Sequence, residues 1–184
     1  MKSTILNKSI LLAVIILSRI SVQAQELISI PRIQGEIKFD GTVNDPCWEN
    51  IQSLQMVMHT PTFGNQPTEM SEVMICYDNT YIYVGARLFD SEASKMLITS
   101  KKRDEGSNSN ESLSIVFDSF NDKENALVFS TTPSGLRNDL TVLNDAIASN
   151  PRNPPFNSSW NTFWDVKTTL DETGWFLEMR IPFS

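Results

Sequence analysis

The sequence predicts an all-β fold, a two-sheet antiparallel sandwich, and three observations carry that prediction. Apolar and polar residues alternate over many short segments, turn-forming residues recur between them, and no stretch sustains a helical period. At 184 residues with 40% hydrophobic content, the chain suits one domain able to bury a sizeable core.

Taken in order, Leu27 to Ile33 and Glu36 to Phe39 read as short extended segments, with Pro31 confining the first to an edge. Asp40-Gly41 turns the chain. Asp45 is expected to cap a single helical turn with Pro46 at its first position, which points Trp48 and Ile51 into the core. Gln52 to Glu69 holds alternating Met56, Met58 and Thr60, then a long loop through Pro61, Gly64 and Pro67. The clearest hairpin joins Glu72–Tyr77 to Tyr81–Leu88 through Asp78-Asn79. Val73, Ile75 and Tyr77 face one way, as do Ile82, Val84, Ala86 and Leu88, while Tyr81, Tyr83 and Arg87 take the other face.

The run from Lys101 to Gly135 reads as the organising stretch, a polar loop leading into a central hairpin. Leu113, Ile115 and Phe117 alternate with Ser112, Ser114 and Asp118, and after a turn rich in Asp, Asn and Ser, Leu127 and Phe129 alternate with Ala126, Val128 and Ser130. Ser91 to Ser112 and Asn138 to Asn161 are expected to be long irregular stretches of the kind that carry function. A last hairpin follows, with Trp164, Val166 and Thr168 alternating, a turn at Asp171 to Gly174, and Trp175, Leu177, Met179 and Ile181 on one buried face.

Charge removes some functions. A pI near 4.7 and a net charge of -7 argue against a nucleic-acid partner, because phosphate binding needs clustered Lys and Arg. Residues 1–24 read as a signal peptide: Lys2 and Lys8 flank its start, Ile10 to Leu17 form an apolar run, and Val22-Gln23-Ala24 is a cleavage pattern. The mature domain, 25–184, is therefore expected outside the cytoplasm, in the periplasm, at the outer membrane or secreted. Arg19 interrupts the apolar run short of the ~20 residues of a membrane span, so no transmembrane helix is expected once the leader is removed. Cys47 and Cys76 are the only cysteines, and an exporting route permits either a disulfide or two separate buried thiols.

Four motifs together resemble the family 9 carbohydrate-binding module-like domains found at the front of secreted and outer-membrane bacterial proteins. They are FDGTVNDPCWENI at 39–51, YDNTYIYVGARLFD at 77–90, the middle run with Arg103-Asp104, Glu111, IVFDSFNDKENALVF and PSGLRNDL, and WDVKTTLDETGWFLEMRIPFS at 164–184. The resemblance implies a jelly-roll or immunoglobulin-like sandwich with a sugar site on the loops of one end. It also implies that the chain runs on beyond Ser184, so the sequence reads as a shortened member or a fragment. Non-catalytic binding of an oligosaccharide or polysaccharide, linked to polysaccharide breakdown or uptake, is the leading function.

Sugars present apolar C–H faces and many hydroxyls, so a receptor needs aromatic planes and bidentate polar groups. Trp160, which lies outside every strand pattern, is the first stacking candidate. Arg103, Asp104, Glu111, Asn138 and Asp139 supply the polar set. In the resembling family an aromatic pair sandwiches the sugar; Trp160 or Trp164 fits one member, and Phe156 or Tyr81 the second. No cofactor is required, although Asp118 and Asp122 offer hard oxygens in one turn, which suits calcium. Three alternatives stand beside this reading. The domain could be a structural periplasmic front piece without a sugar site, a glycosidase drawing a carboxylate pair from Glu105, Glu111, Asp118 and Asp122, or a haem binder using His59, the only His, with a Met.

Mass spectrometry of the native protein tests the leader. Gln25 is expected as the first residue, and retention of Met1 to Ala24 would reverse the assignment.

Overall fold

The computed structural model describes residues 28–96, 111–148 and 154–183. Two four-stranded antiparallel sheets pack face to face. The first contains β1 (Ser71–Tyr77), β2 (Tyr81–Phe89), β7 (Asp165–Asp171) and β8 (Gly174–Pro182), in the order β1-β2-β8-β7. The second is the meander β3 (Leu113–Phe117), β4 (Ala126–Thr131), β5 (Arg137–Val142) and β6 (Phe156–Asn157). The chain thus builds half of one sheet, then all of the other, and returns to complete the first.

The predicted hairpins are present, each closed by a carboxylate that satisfies turn amides. Asp78 Oδ1 accepts from the amides of Thr80 and Tyr81 (2.6 and 2.7 Å), and Asp171 Oδ1 from the amide and hydroxyl of Thr173 (both 2.7 Å). Between the sheets lies a core of Val73, Val84, Ala86, Phe129, Trp164, Trp175, Leu177 and Met179, supplied by the faces expected from the alternation.

Three expectations about the strands need correction. The organising strand is β8, not the β3–β4 hairpin, because β3 is an edge strand whereas β8 pairs with β2 on one side and β7 on the other. Nor does the last hairpin bury only one face. The outer face of β8 is covered by residues 33–51, whose Ile33, Ile37, Val43, Cys47, Trp48 and Ile51 pack on Met74, Cys76, Tyr83 and Phe176 as a second core. Finally, Arg137 to Val142 is a strand rather than the start of an irregular stretch. Its pattern is inverted: Asp139 pairs with the core residue Phe129, while Leu140 pairs with Val128 on the outer face.

Glu178 locks the cover to the sheet. Its side chain is fully buried; Oε2 accepts from the amides of Asp40 and Gly41 (both 2.8 Å) and Oε1 from Trp48 Nε1 (3.0 Å). Arg87 adds two bonds to the Val43 carbonyl (3.2 and 2.6 Å), and Thr169 Oγ1 donates to the Gly41 carbonyl at 2.8 Å. Two glycines make the fit sterically available. A Cβ on Gly85 would lie 2.9 Å from the Trp48 ring, and one on Gly41, whose φ is +86°, would lie 2.7 Å from the Lys167 backbone. Asp45 does not cap the short 3-10 turn at Trp48–Asn50; its Oδ2 takes the Lys38 amide (2.8 Å) and its carbonyl takes the Trp48 amide (3.0 Å). Cys47 and Cys76 are both free and buried.

Burial pushes the Glu178 carboxyl above its ordinary range, against the opposing pull of its three donors. A carboxyl raised in the folded state contributes stability that is present at acid pH and lost as pH rises through its folded value. Glu178→Gln keeps one acceptor oxygen where two now serve three donors, and is expected to cost about 1–3 kcal/mol. In thermal melts across pH, the gap between wild type and variant should be widest in acid and narrow as pH rises. A gap that widened with pH would contradict this account.

Candidate functional site

The segment 158–164 crosses one end of the sandwich between β6 and β7 and is pinned from beneath. Asp139, fully buried, accepts the Thr162 amide at Oδ2 (2.8 Å). The rings of Trp160 and Trp164 meet Phe129 edge to face, at centroid distances of 6.0 and 5.5 Å. Trp164 is buried, and its Nε1 has no hydrogen-bond partner among the described residues. Trp160 is half-buried, with part of its ring still accessible. Between the two tryptophans Phe163 turns outward and is 90% exposed, the most exposed large apolar residue described.

The structure therefore separates the sequence-predicted site residues by role. Trp160, Trp164 and Asp139 come together around Phe129, with Trp164 and Asp139 inside the fold. Asn138 is next to Asp139 in β5 but points to the opposite face, where it pairs in register with Ser130. Glu111 is exposed, just ahead of β3. Arg103 and Asp104 lie outside the described residues. Of the two further aromatic candidates, Phe156 is about half exposed on β6, and Tyr81 packs against Tyr83 (5.7 Å) and under the Arg180 guanidinium (5.4 Å). Phe163 was missed because it stands between two tryptophans in a segment without strand periodicity. The only available signal was its one-residue offset from the inward-facing Trp164.

Among the described residues, Glu111 and Asp118 are too far apart to serve as a hydrolytic pair. Glu111 and Asp118 flank opposite ends of β3, seven residues apart in extended chain, or about 23 Å, far beyond the ~5–9.5 Å that glycosidases use. Glu105 lies outside the described residues. Asp118 and Asp122 share one turn and serve its amides: Asp118 accepts from Asp122 and Lys123 (3.2 and 2.9 Å), and Asp122 from Glu124 and Asn125 (2.9 and 2.8 Å). The Asn125 side-chain amide and these backbone amides hold the Asp122 carboxyl below its usual range. His59 is exposed, with its ring edge to face with Phe63 at 6.1 Å.

Beyond Trp164 the chain enters a polar groove of about 440 Å³ lined by Phe39, Gly135, Arg137, Asp165, Lys167 and Arg180. Asp165 Oδ2 accepts from both Nε and Nη2 of Arg180 (3.0 and 2.7 Å), while Arg137 Nη1 donates to the Trp164 carbonyl at 2.7 Å. The Arg180 guanidinium lies 4.5 Å from the centroid of the Phe39 ring, a residue of the N-terminal cover. Among the described residues no helix is long and apolar enough to cross a membrane, which says nothing of β-barrels.

Comparison with known proteins returns one family, described as carbohydrate family 9 binding domain-like, which matches residues 39–184. Two similar solved structures are of a family 9 carbohydrate-binding module from Caldicellulosiruptor kristjanssonii. One is in complex with cellotriose, at a TM-score of 0.54, and the other with glucose, at 0.56. Each is 18% identical and is matched over 84% of this chain and 67% or 69% of its own, so the likeness is one of fold. No curated protein matches the chain.

Truncating the two tryptophans should distinguish their roles. Trp164→Ala is expected to cost about 3–5 kcal/mol in denaturant unfolding. Trp164→Phe should cost clearly less, because the indole nitrogen it removes has no partner. Equal losses would show that the Nε1 group matters to the fold.

Proposed function

We propose, from the premise that the chain belongs to the carbohydrate family 9 binding domain-like family, that it binds saccharide without catalysis, through the pinned 158–164 segment. The family match over residues 39–184 carries the reading. The Caldicellulosiruptor kristjanssonii modules, solved with cellotriose and with glucose, support a glucan-type ligand.

The chemistry follows from the geometry. A stacking platform gains most when its ring is exposed and its backbone is already held, because little further ordering is needed on binding. Phe163 meets both conditions: it is open to solvent and adjoins the Thr162 amide fixed by Asp139. The accessible part of Trp160 would supply the second aromatic surface, and Arg103, Asp104 and Glu111 stay polar candidates on the sequence alone. Export to the periplasm or beyond, supported by the leader pattern at residues 1–24, would place this module where polysaccharide is degraded or taken up.

Calorimetric titration with glucan and xylan oligosaccharides, beside thermal melts, tests the proposal. Phe163→Ala and Trp160→Ala should each weaken binding by at least about 1 kcal/mol, and Phe163→Ala should leave the melting temperature unchanged. A wild-type protein that binds no saccharide at millimolar concentration would instead favour a structural front domain.

A further inference from the structure

We propose that the groove between β7, β8 and the β4–β5 turn selects an acidic saccharide, one carrying a uronate carboxylate. This inference rests on the saccharide-binding reading and adds to it, beside the 158–164 segment that would hold a neutral glucan unit, a subsite for a charged one.

Charge is the first observation. The chain has a net charge of -7, yet this groove gathers Arg137, Lys167 and Arg180 against Asp165 alone. Two guanidiniums share that single carboxylate: Arg180 holds Oδ2, and Arg137 Nη1 lies 3.6 Å from Oδ1. Lys167, on the same strand as Asp165, has no ion-pair partner among the described residues. The lining is therefore left with two formal positive charges.

Rigidity is the second. Arg180 is held by Asp165 and by the Phe39 and Tyr81 rings, 4.5 and 5.4 Å from its guanidinium carbon. Arg137 is held by the Trp164 carbonyl. Among the described residues these bonds leave Arg180 Nη1, Arg137 Nε and Nη2, and Lys167 Nζ without a protein acceptor. Fixed guanidinium donors favour a planar oxyanion, because the charge-assisted bonds form with little ordering cost. A neutral sugar gains only neutral hydrogen bonds from these donors, whereas a carboxylate on a pyranose ring gains charge-assisted ones. At about 440 Å³ the groove falls in the range of small-ligand sites.

The test is calorimetry at low ionic strength with oligogalacturonate, neutral xylo- and cello-oligosaccharides of equal length, and a short poly-glutamate peptide. Oligogalacturonate should bind roughly tenfold more tightly than the neutral sugars, and the difference should shrink as salt is added. Lys167→Glu and Arg137→Gln should each weaken uronate binding several-fold and leave neutral-sugar binding unchanged. Because Lys167 is exposed, its variant should melt with the wild type, which keeps the test informative if Arg137→Gln is destabilised. Equal affinity for acidic and neutral sugars, or uronate binding unmoved by Lys167→Glu, would overturn this proposal while leaving saccharide binding intact. Loss of all saccharide binding would remove both readings. Poly-glutamate binding as strong as that of the uronate would show an anion site without sugar selectivity and overturn the ligand class.

Discussion

A carboxylate removed from water needs its full complement of donors, and at Glu178 the chain supplies three from a segment more than a hundred residues away. That single requirement fixes where residues 39–51 run across the first sheet. Once Asp40 and Gly41 are held, Phe39 comes against Arg180, and Trp48 has only the bare backbone of Gly85 on which to lie. Leaving any of the donors unmade would strand a buried charge, so the cover has one position rather than several. The groove beside β7 follows from the same constraint, since one of its walls belongs to the cover.

Strand existence and facing were legible in the sequence wherever apolar residues point inward. The β1–β2 and β7–β8 hairpins show plain alternation, and their core faces are those that alternation indicates. Legibility failed where a polar residue is buried. In β5 the inward position is Asp139 and an outward one Leu140, so hydrophobicity pointed the wrong way. In β8, Phe176, Glu178 and Arg180 looked like a solvent-facing row because nothing local announces that another segment covers them. A two-sided strand whose second face is satisfied by distant hydrogen bonds carries no periodic signal of its own.

The end proposed for binding was partly legible for a related reason. Trp160 was recognisable because it lies outside any strand pattern, but a tryptophan in a loop has two uses, and here one side of its ring is spent on Phe129. Asp139 acts on this segment from below: by taking the Thr162 amide it sets the path of the backbone that carries Phe163. Position in a loop, then, says little about whether an aromatic ring faces inward or outward. The backbone bond one residue away decides it.

The two thiols lie on opposite sides of the seam between cover and sheet, Cys47 in the covering segment and Cys76 in β1. Cys76 has no exposure while the seam is shut, whereas Cys47 keeps 8%, and desolvation pushes the Cys76 thiol up to about 12, suppressing the reactive thiolate. Alkylation of Cys76 must therefore await an opening event. The protein carries its own probe of whether the N-terminal segment peels away as a separate foldon or leaves only with global unfolding: labelling kinetics followed against denaturant would distinguish a shallow, local dependence from a steep, global one.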